Sequence, residues 1–440
     1  MHTSVLANLP TPSCGLKTRL AALLMVSLCG SLVLYPLLHR WIAPFVGLSF
    51  GLATLLVSVG VVQRNLRIPS SVLTNIWIAF MIIYDIWFII ALIYGNTLRY
   101  IYQDSAGFLL YLGALPVIYL LVQQNNLQRL FFSFVERLSQ LIGAASVILA
   151  VIIYGVMGEI SSESITLINA YAFTMGLSWS IDHNHGLLGL YTNVAHFMLL
   201  GSALAFYRFY LFGRRRDVFL ILLYLTAFLL DGRRALVIAA FMQIVIVALP
   251  RLKMLLFGQH MMLALVMLVG LIVFIISNKD WIQQRFNFYD VDASSAERYA
   301  QIPALLDKIV DKPVFGGGFG SIASYIRSFE RPFSYEVDFL ATFMKLGMVG
   351  GILYFGTYLF GVAQALRIRG PLGLYLISAG LPFFFYMGTN GNQAMSTDSA
   401  IFHIFLFMMI AFTLPNRGRL AVWNNGLRSA SREPQKVLSA

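Results

Sequence analysis

Residues 294–351 read SSAERYAQIPALLDKIVDKPVFGGGFGSIASYIRSFERPFSYEVDFLATFMKLGMVGG. The segment opens as a polar, amphipathic helix, passes through a run of glycines and ends inside an apolar span. Nearly everything on either side of it is apolar, so polar chemistry concentrates in the few long stretches that water can reach. This is the longest of them.

Working outward, 59% of the 440 residues are hydrophobic and 11% are charged, against about 25% charged in a soluble domain. Lipid is the solvent such a chain requires, and each span must satisfy its own backbone hydrogen bonds. Apolar runs of roughly 20 residues without alternation predict helices rather than a barrel. The expected fold is all-α: one polytopic membrane domain over 1–440, a bundle of about twelve transmembrane helices. The expected spans are 18–38, 42–62, 71–94, 105–123, 139–157, 187–211, 218–231, 235–250, 260–277, 337–363, 371–388 and 399–414. The first is read as a retained span, since a long polar stretch precedes it and no small-residue cleavage site follows. Cys14 and Cys29 are the only two cysteines and define neither a disulfide framework nor a metal cluster.

The net charge of +12 belongs to topology rather than to nucleic acid. Basic residues gather in alternate loops (Arg64 and Arg67, Arg214 to Arg216, Arg251 and Lys253, Arg367 and Arg369) and in the tail 415–440. The positive-inside rule makes that side cytoplasmic, together with both termini. The loops 158–186 and 278–335 are then external.

Within the external loop 278–335, acidic and basic residues balance. Ser294-x-x-Glu297 forms a capping box. Tyr299, Ile302, Leu305, Leu306 and Ile309 recur at helical spacing and predict one apolar face, with Arg298 on its rim and Pro303 at a kink or an early turn. Lys312-Pro313 stops the helix. Gly316, Gly318 and Gly320 permit positive φ and a close backbone approach to a ligand, but no Gly-Lys-Ser/Thr of a nucleotide loop follows. Glu336 and Asp338 are carboxylates at the mouth of the next span. Either suits proton abstraction from a sugar hydroxyl, and their spacing turns them to different sides of a helix.

Other polar groups fall at span ends. Arg233 and Arg234, after Asp231-Gly232, are arginines at an external helix mouth, where a guanidinium fork and the positive end of a helix suit phosphate. Asp182, His183, Asn184 and His185 form a polar cluster at the mouth of the span expected at 187. The spacing of these histidines is not a helical metal-ligand spacing and no third ligand is near, so no metal is assigned. Asp85 and His196 lie within expected spans and are read as buried groups partnered by neighbouring helices.

The order Arg298, then Pro313-Val-Phe-Gly316-Gly-Gly318-Phe-Gly320, then Glu336-x-x-Phe-Leu340 and Gly347-x-x-Gly350, resembles the O-antigen polymerase and O-antigen ligase superfamily. The upstream Gly232-Arg233-Arg234 is similar to that family's arginine segment, and the resemblance covers roughly 225–360. It implies a cell inner-membrane glycosyltransferase whose donor is a glycan on undecaprenyl pyrophosphate. Membrane lipid is its surroundings, and a chain-length regulator and a flippase are its partners. It further implies that Arg233 or Arg234, with Arg298, neutralises the pyrophosphate, and that Glu336 is the base. Arg327 and the glycines belong to the same expected substrate site, and no cofactor is needed. Where the ligases carry a histidine, often His-Asn, this chain has Glu336-Val337, a departure that favours polymerase over ligase. Transport of a lipid-linked sugar is the alternative outside enzymology.

Overall fold

The computed structural model describes residues 15–34, 39–62, 71–157, 165–170, 179–184, 187–192, 194–231, 233–248, 293–329, 331–368, 370–389 and 396–414. These residues are helical apart from turns and one hairpin. The helices are α1 (Leu16–Leu34), α2 (His39–Val62), α3 (Ser71–Ile93), α4 (Leu98–Asp104), α5 (Ala106–Gln124), α6 (Gln128–Met157), α7 (Met198–Phe212), α8 (Arg215–Leu230), α9 (Arg234–Ala248), α10 (Ala293–Asp311), α11 (Asp338–Ala363), α12 (Leu372–Thr389) and α13 (Thr397–Thr413). Among the described residues six helices are long and apolar enough to cross a membrane, and four shorter apolar helices accompany them. They mark a membrane protein. The expected span 260–277 lies outside the described residues.

Helix α13 is buried on every face from Ala400 to Ala411, as expected of a helix that is apolar all round. It packs against α5 and α12, and Phe402 stacks on Phe383 at 3.7 Å. Peripheral helices are two-faced. Along α3, Phe80, Ile83, Trp87 and Ala91 point inward, while Ile78, Ile82, Ile86 and Ile89 are exposed, as suits a lipid-facing stripe.

Several expectations need correction. The span expected from 187 begins instead as a strand: β1 (Trp179–Asn184) pairs antiparallel with β2 (Leu187–Thr192). A 3-10 turn at Ala195–Phe197 then leads into α7. Leu187 to Thr192 is apolar enough for either state, and pairing with β1 decides for the strand. His196 therefore sits in that turn rather than ten residues into a span, buried among the rings of Phe383, Tyr386 and Phe402. Asp85 is not buried: it lies on the exposed stripe of α3. The expected seventh and eighth spans are separate helices, parted at Asp231, whose carboxylate accepts from the Arg233 backbone N–H at 3.0 Å.

Packing brings the loops between alternate helices to one end of the bundle. Residues 94–104 bond to the glycine run, Arg233 reaches Tyr386 near the end of α12, and Phe339 at the start of α11 fills the space beside Gly388. At the other end Arg208 of α7 bonds Asp217 of α8 at 3.0 Å and pairs with Glu136 of α6.

Candidate functional site

Helix α10 is amphipathic as its sequence predicts, but its buried face is turned. Leu305 and Gln301 are fully buried, whereas Tyr299 and Leu306 are exposed. The reason is polar: the Gln301 side-chain oxygen accepts the backbone N–H of Glu336 at 2.8 Å. Leu305 joins Ala323, Tyr335, Ala341 and Met344 in a small core that seats α10 on the start of α11. Tyr335 is fully buried, its hydroxyl accepting from the Ala323 N–H at 2.6 Å. Burial pushes that phenol above its ordinary pKa by disfavouring the charged form. Pro303 stands in the interior of α10, on its exposed side, rather than in an early turn.

This seat brings three expected site residues together. Arg298 Nε donates to Glu336 Oε2 at 2.9 Å, and Arg327 Nη2 lies 2.6 Å from Glu336 Oε1. Arg327 Nε is also 3.3 Å from Glu297 Oε1, so the expected capping-box glutamate faces a second arginine. Glu336 is 12% exposed and the two arginines 39% and 34%, which leaves the cluster open at its guanidinium side. Asp338 is 1% exposed and lies below this cluster, within electrostatic reach of Lys345, Glu336 and Arg327.

Beneath the cluster, the glycine run does not line an open cleft. Gly316 to Gly320 are buried, with positive φ at Gly316, Gly318 and Gly320. The close backbone approach they allow is to the chain's own helices. Helix α11 is broken at Gly347 (φ 65°, ψ −176°), and the loop fills the break. Gly317 and Gly318 donate to the Met344 and Lys345 carbonyls at 2.9 and 2.8 Å, while Met348 and Val349 donate to Pro313 and Val314 at 2.8 and 3.1 Å. Asn96 uses its side-chain nitrogen on the Gly317 and Phe319 carbonyls at 2.8 and 2.9 Å, and Trp87 donates to the Phe315 carbonyl at 2.8 Å. Lys312 caps the approach, its ammonium 3.2 Å from the centre of the Tyr94 ring. Desolvation there draws its pKa below that of an ordinary lysine.

Two residues outside the expected site complete this floor. Asp104 accepts from the Gly320 N–H at 2.7 Å and from Lys345 Nζ at 2.6 Å, with Asp104 1% and Lys345 3% exposed. The signal for them was an ionisable residue within a span, Lys345, which requires a partner. The partner is 241 residues away, and no local pattern names it.

A Cβ at Gly318 would stand 2.6 Å from the Ala91 nitrogen, on a backbone at φ +76°. Gly318→Ala is therefore expected to cost about 1–3 kcal/mol from conformation alone, with the steric overlap added. A melting temperature equal to that of the wild-type protein would refute the described packing.

The remaining expected residues lie elsewhere. Arg233 is nearly buried, its Nη1 donating to the Tyr386 hydroxyl at 2.6 Å. Arg234 is the first residue of α9. Because Tyr386 and Gly388 sit together at the end of α12 and Phe339 meets Gly388, Arg233 shares an end of the bundle with Glu336. Asp182 and Asn184 pair in register with Gly189 and Leu187 in the hairpin, and His185 lies outside the described residues. Compared with known proteins, the chain matches no family model and no curated sequence.

Proposed function

We propose that the chain is a membrane glycosyltransferase that polymerises undecaprenyl-pyrophosphate-linked oligosaccharide repeat units, of an O-antigen, capsule or exopolysaccharide, at the outer face of the inner membrane. On this reading about twelve spans, 260–277 among them, leave both termini in the cytoplasm and the 278–335 loop outside. One observation carries the reading: a carboxylate at a helix mouth, Glu336, meets the exposed guanidinium groups of Arg298 and Arg327. An acid acceptor and cation donors within one cluster suit transfer from a pyrophosphate.

In the reaction a sugar hydroxyl attacks the anomeric carbon of the donor. A new C–O bond forms and the bond from that carbon to the pyrophosphate oxygen breaks, its electron pair leaving with the polyprenyl pyrophosphate. The hydroxyl proton passes to Glu336. Positioned guanidinium groups stabilise the charge that develops on the leaving group. The donor is already activated, so the chemistry calls for neither ATP nor metal. A flippase that delivers the donor and a regulator of chain length are the partners such a reaction needs.

The ligase reaction uses the same parts with a different acceptor. Transport of a lipid-linked sugar is the second reading, favoured by the broken helix α11 and the buried charges beside the break, features of transporter sites. Against it, the backbone groups of the break are taken by residues 313–318 of the same chain, and the buried charges pair with each other.

Proteoliposomes supplied with one lipid-linked repeat unit discriminate the readings. A ladder of products longer than one repeat is expected. Single repeats that only change leaflet would sink the polymerase reading and leave the transporter. Transfer of single repeats to a second lipid would make the chain a ligase.

A further inference from the structure

Glu336 presents a difficulty for its own proposed role. Both of its carboxylate oxygens are already engaged by guanidinium groups: Oε2 accepts from Arg298 Nε, and Oε1 is paired with Arg327 Nη2 at 2.6 Å. A hydroxyl awaiting deprotonation meets an oxygen that is in use. The arginines are occupied too, by Glu336 and Glu297, although they are the groups meant to meet the donor.

The two difficulties have one solution. Planar two-point recognition by arginine serves carboxylate and phosphate alike, and a diphosphate offers more oxygens and more charge than one carboxylate. Arg298 engages Glu336 through Nε alone among its described partners, leaving its terminal N–H groups available. Both guanidiniums are more than a third exposed while Glu336 is 12% exposed, so an incoming anion meets the cations before it meets the carboxylate.

We infer that Glu336 is the resident anion of a diphosphate site formed by Arg298 and Arg327, and that a diphosphate-bearing donor displaces it. The inference rests on the polymerase reading for the donor's lipid and sugar, and on the geometry for the diphosphate. In the empty site the base is sequestered. Arrival of the diphosphate turns both guanidiniums to the ligand and releases Glu336 toward the acceptor hydroxyl. Acceptor activation then follows donor binding, which protects the donor from water when no acceptor is present. Arg298 comes from α10 and Arg327 from the loop after the glycine run, so one ligand also ties the two elements together in place of Glu336.

The test is binding to full-length protein in nanodiscs of zwitterionic lipid. Inorganic pyrophosphate is titrated in one arm, and polyprenyl diphosphate is doped into the bilayer in the other. Removing the competing anion should tighten binding, so Glu336→Gln is expected to bind pyrophosphate about tenfold more tightly than wild type. Arg298→Ala and Arg327→Ala are expected to bind about tenfold more weakly or worse. Glu336→Asp, which keeps the charge and shortens its reach, should fall between wild type and Glu336→Gln, and guards against a folding defect in the amide variant. The same order in the lipid arm alone makes the carrier part of the recognised ligand and still supports the inference. If Glu336→Gln binds both probes no more tightly than wild type, or if the arginine variants bind like wild type, Glu336 is only a clasp between α10 and α11 and the inference fails. If the binding order holds but proteoliposomes make no polymer, the diphosphate site stands and the polymerase reading falls.

Discussion

Glu336→Gln is expected to lower polymer formation by about 10²–10⁴-fold, the usual contribution of a positioned base, while the protein stays in the membrane at wild-type level. The amide keeps the shape of the side chain and its place between Arg298 and Arg327, and removes the ability to take a proton. Seating of α10 survives through the Gln301 bond to the backbone of residue 336 and the Leu305 core. The readout is the glycan ladder from a complemented deletion strain, with single capped repeats remaining where chains disappear. Arg298→Ala should show a loss of about 10²–10³-fold, as for removal of one charge-stabilising donor. A ladder of normal length from both variants would remove this cluster from the chemistry. Loss of turnover in Glu336→Gln together with tighter diphosphate binding would separate its two roles.

The second large effect is on stability. Lys345→Met removes the cation from Asp104 and from the neighbourhood of Asp338, both essentially buried. Breaking one partner of a buried pair costs about 3–5 kcal/mol, because the remaining charge has no water to turn to. The single variant should lose most of its folded yield in detergent and melt well below wild type. Adding Asp104→Asn should restore most of the loss, since the amide oxygen still accepts the Gly320 N–H and no uncompensated charge remains there. A single variant as stable as wild type, or a double variant no better than the single, would refute the description of this floor.

Much of the candidate site was legible from local pattern. The helix over 293–311, its stop at Lys312-Pro313 and the break between the helices flanking Arg233 each follow from residues within a few positions of one another. Arg298, Arg327 and Glu336 were each expected in one site, and they meet. What was not legible depends on distant partners. The buried face of α10 is turned because Gln301, which reads as polar and outward, has the backbone of residue 336 to bond. The glycine run suggested an open approach to a ligand, but what it approaches is α3, α4 and the break in α11, more than 200 residues distant at its bonds to Asn96 and Asp104. The strand at Leu187–Thr192 was read as the start of a span because six largely apolar residues carry no period long enough to separate the two states.

The filled break in α11 also bears on where the site can move. Residues 313–318 are joined to 344–349 by four backbone hydrogen bonds, each costly to leave unmade in a hydrocarbon setting. The glycines therefore act as a fixed splice between the end of α10 and the break in α11.

The Asp104–Lys345 pair sets an order of assembly. During synthesis residues 94–104 emerge first, and Lys345 follows 241 residues later. Until then the Asp104 carboxylate lacks this cation, and the Gly320 N–H that it also accepts is made only shortly before it. The early helices are therefore made with this corner unfinished. The last third of the chain completes it by supplying both partners, the Gly320 N–H and the Lys345 ammonium. Chains truncated before Lys345 would carry an exposed acidic flaw at that corner, a feature by which quality control can tell an incomplete molecule from a finished one.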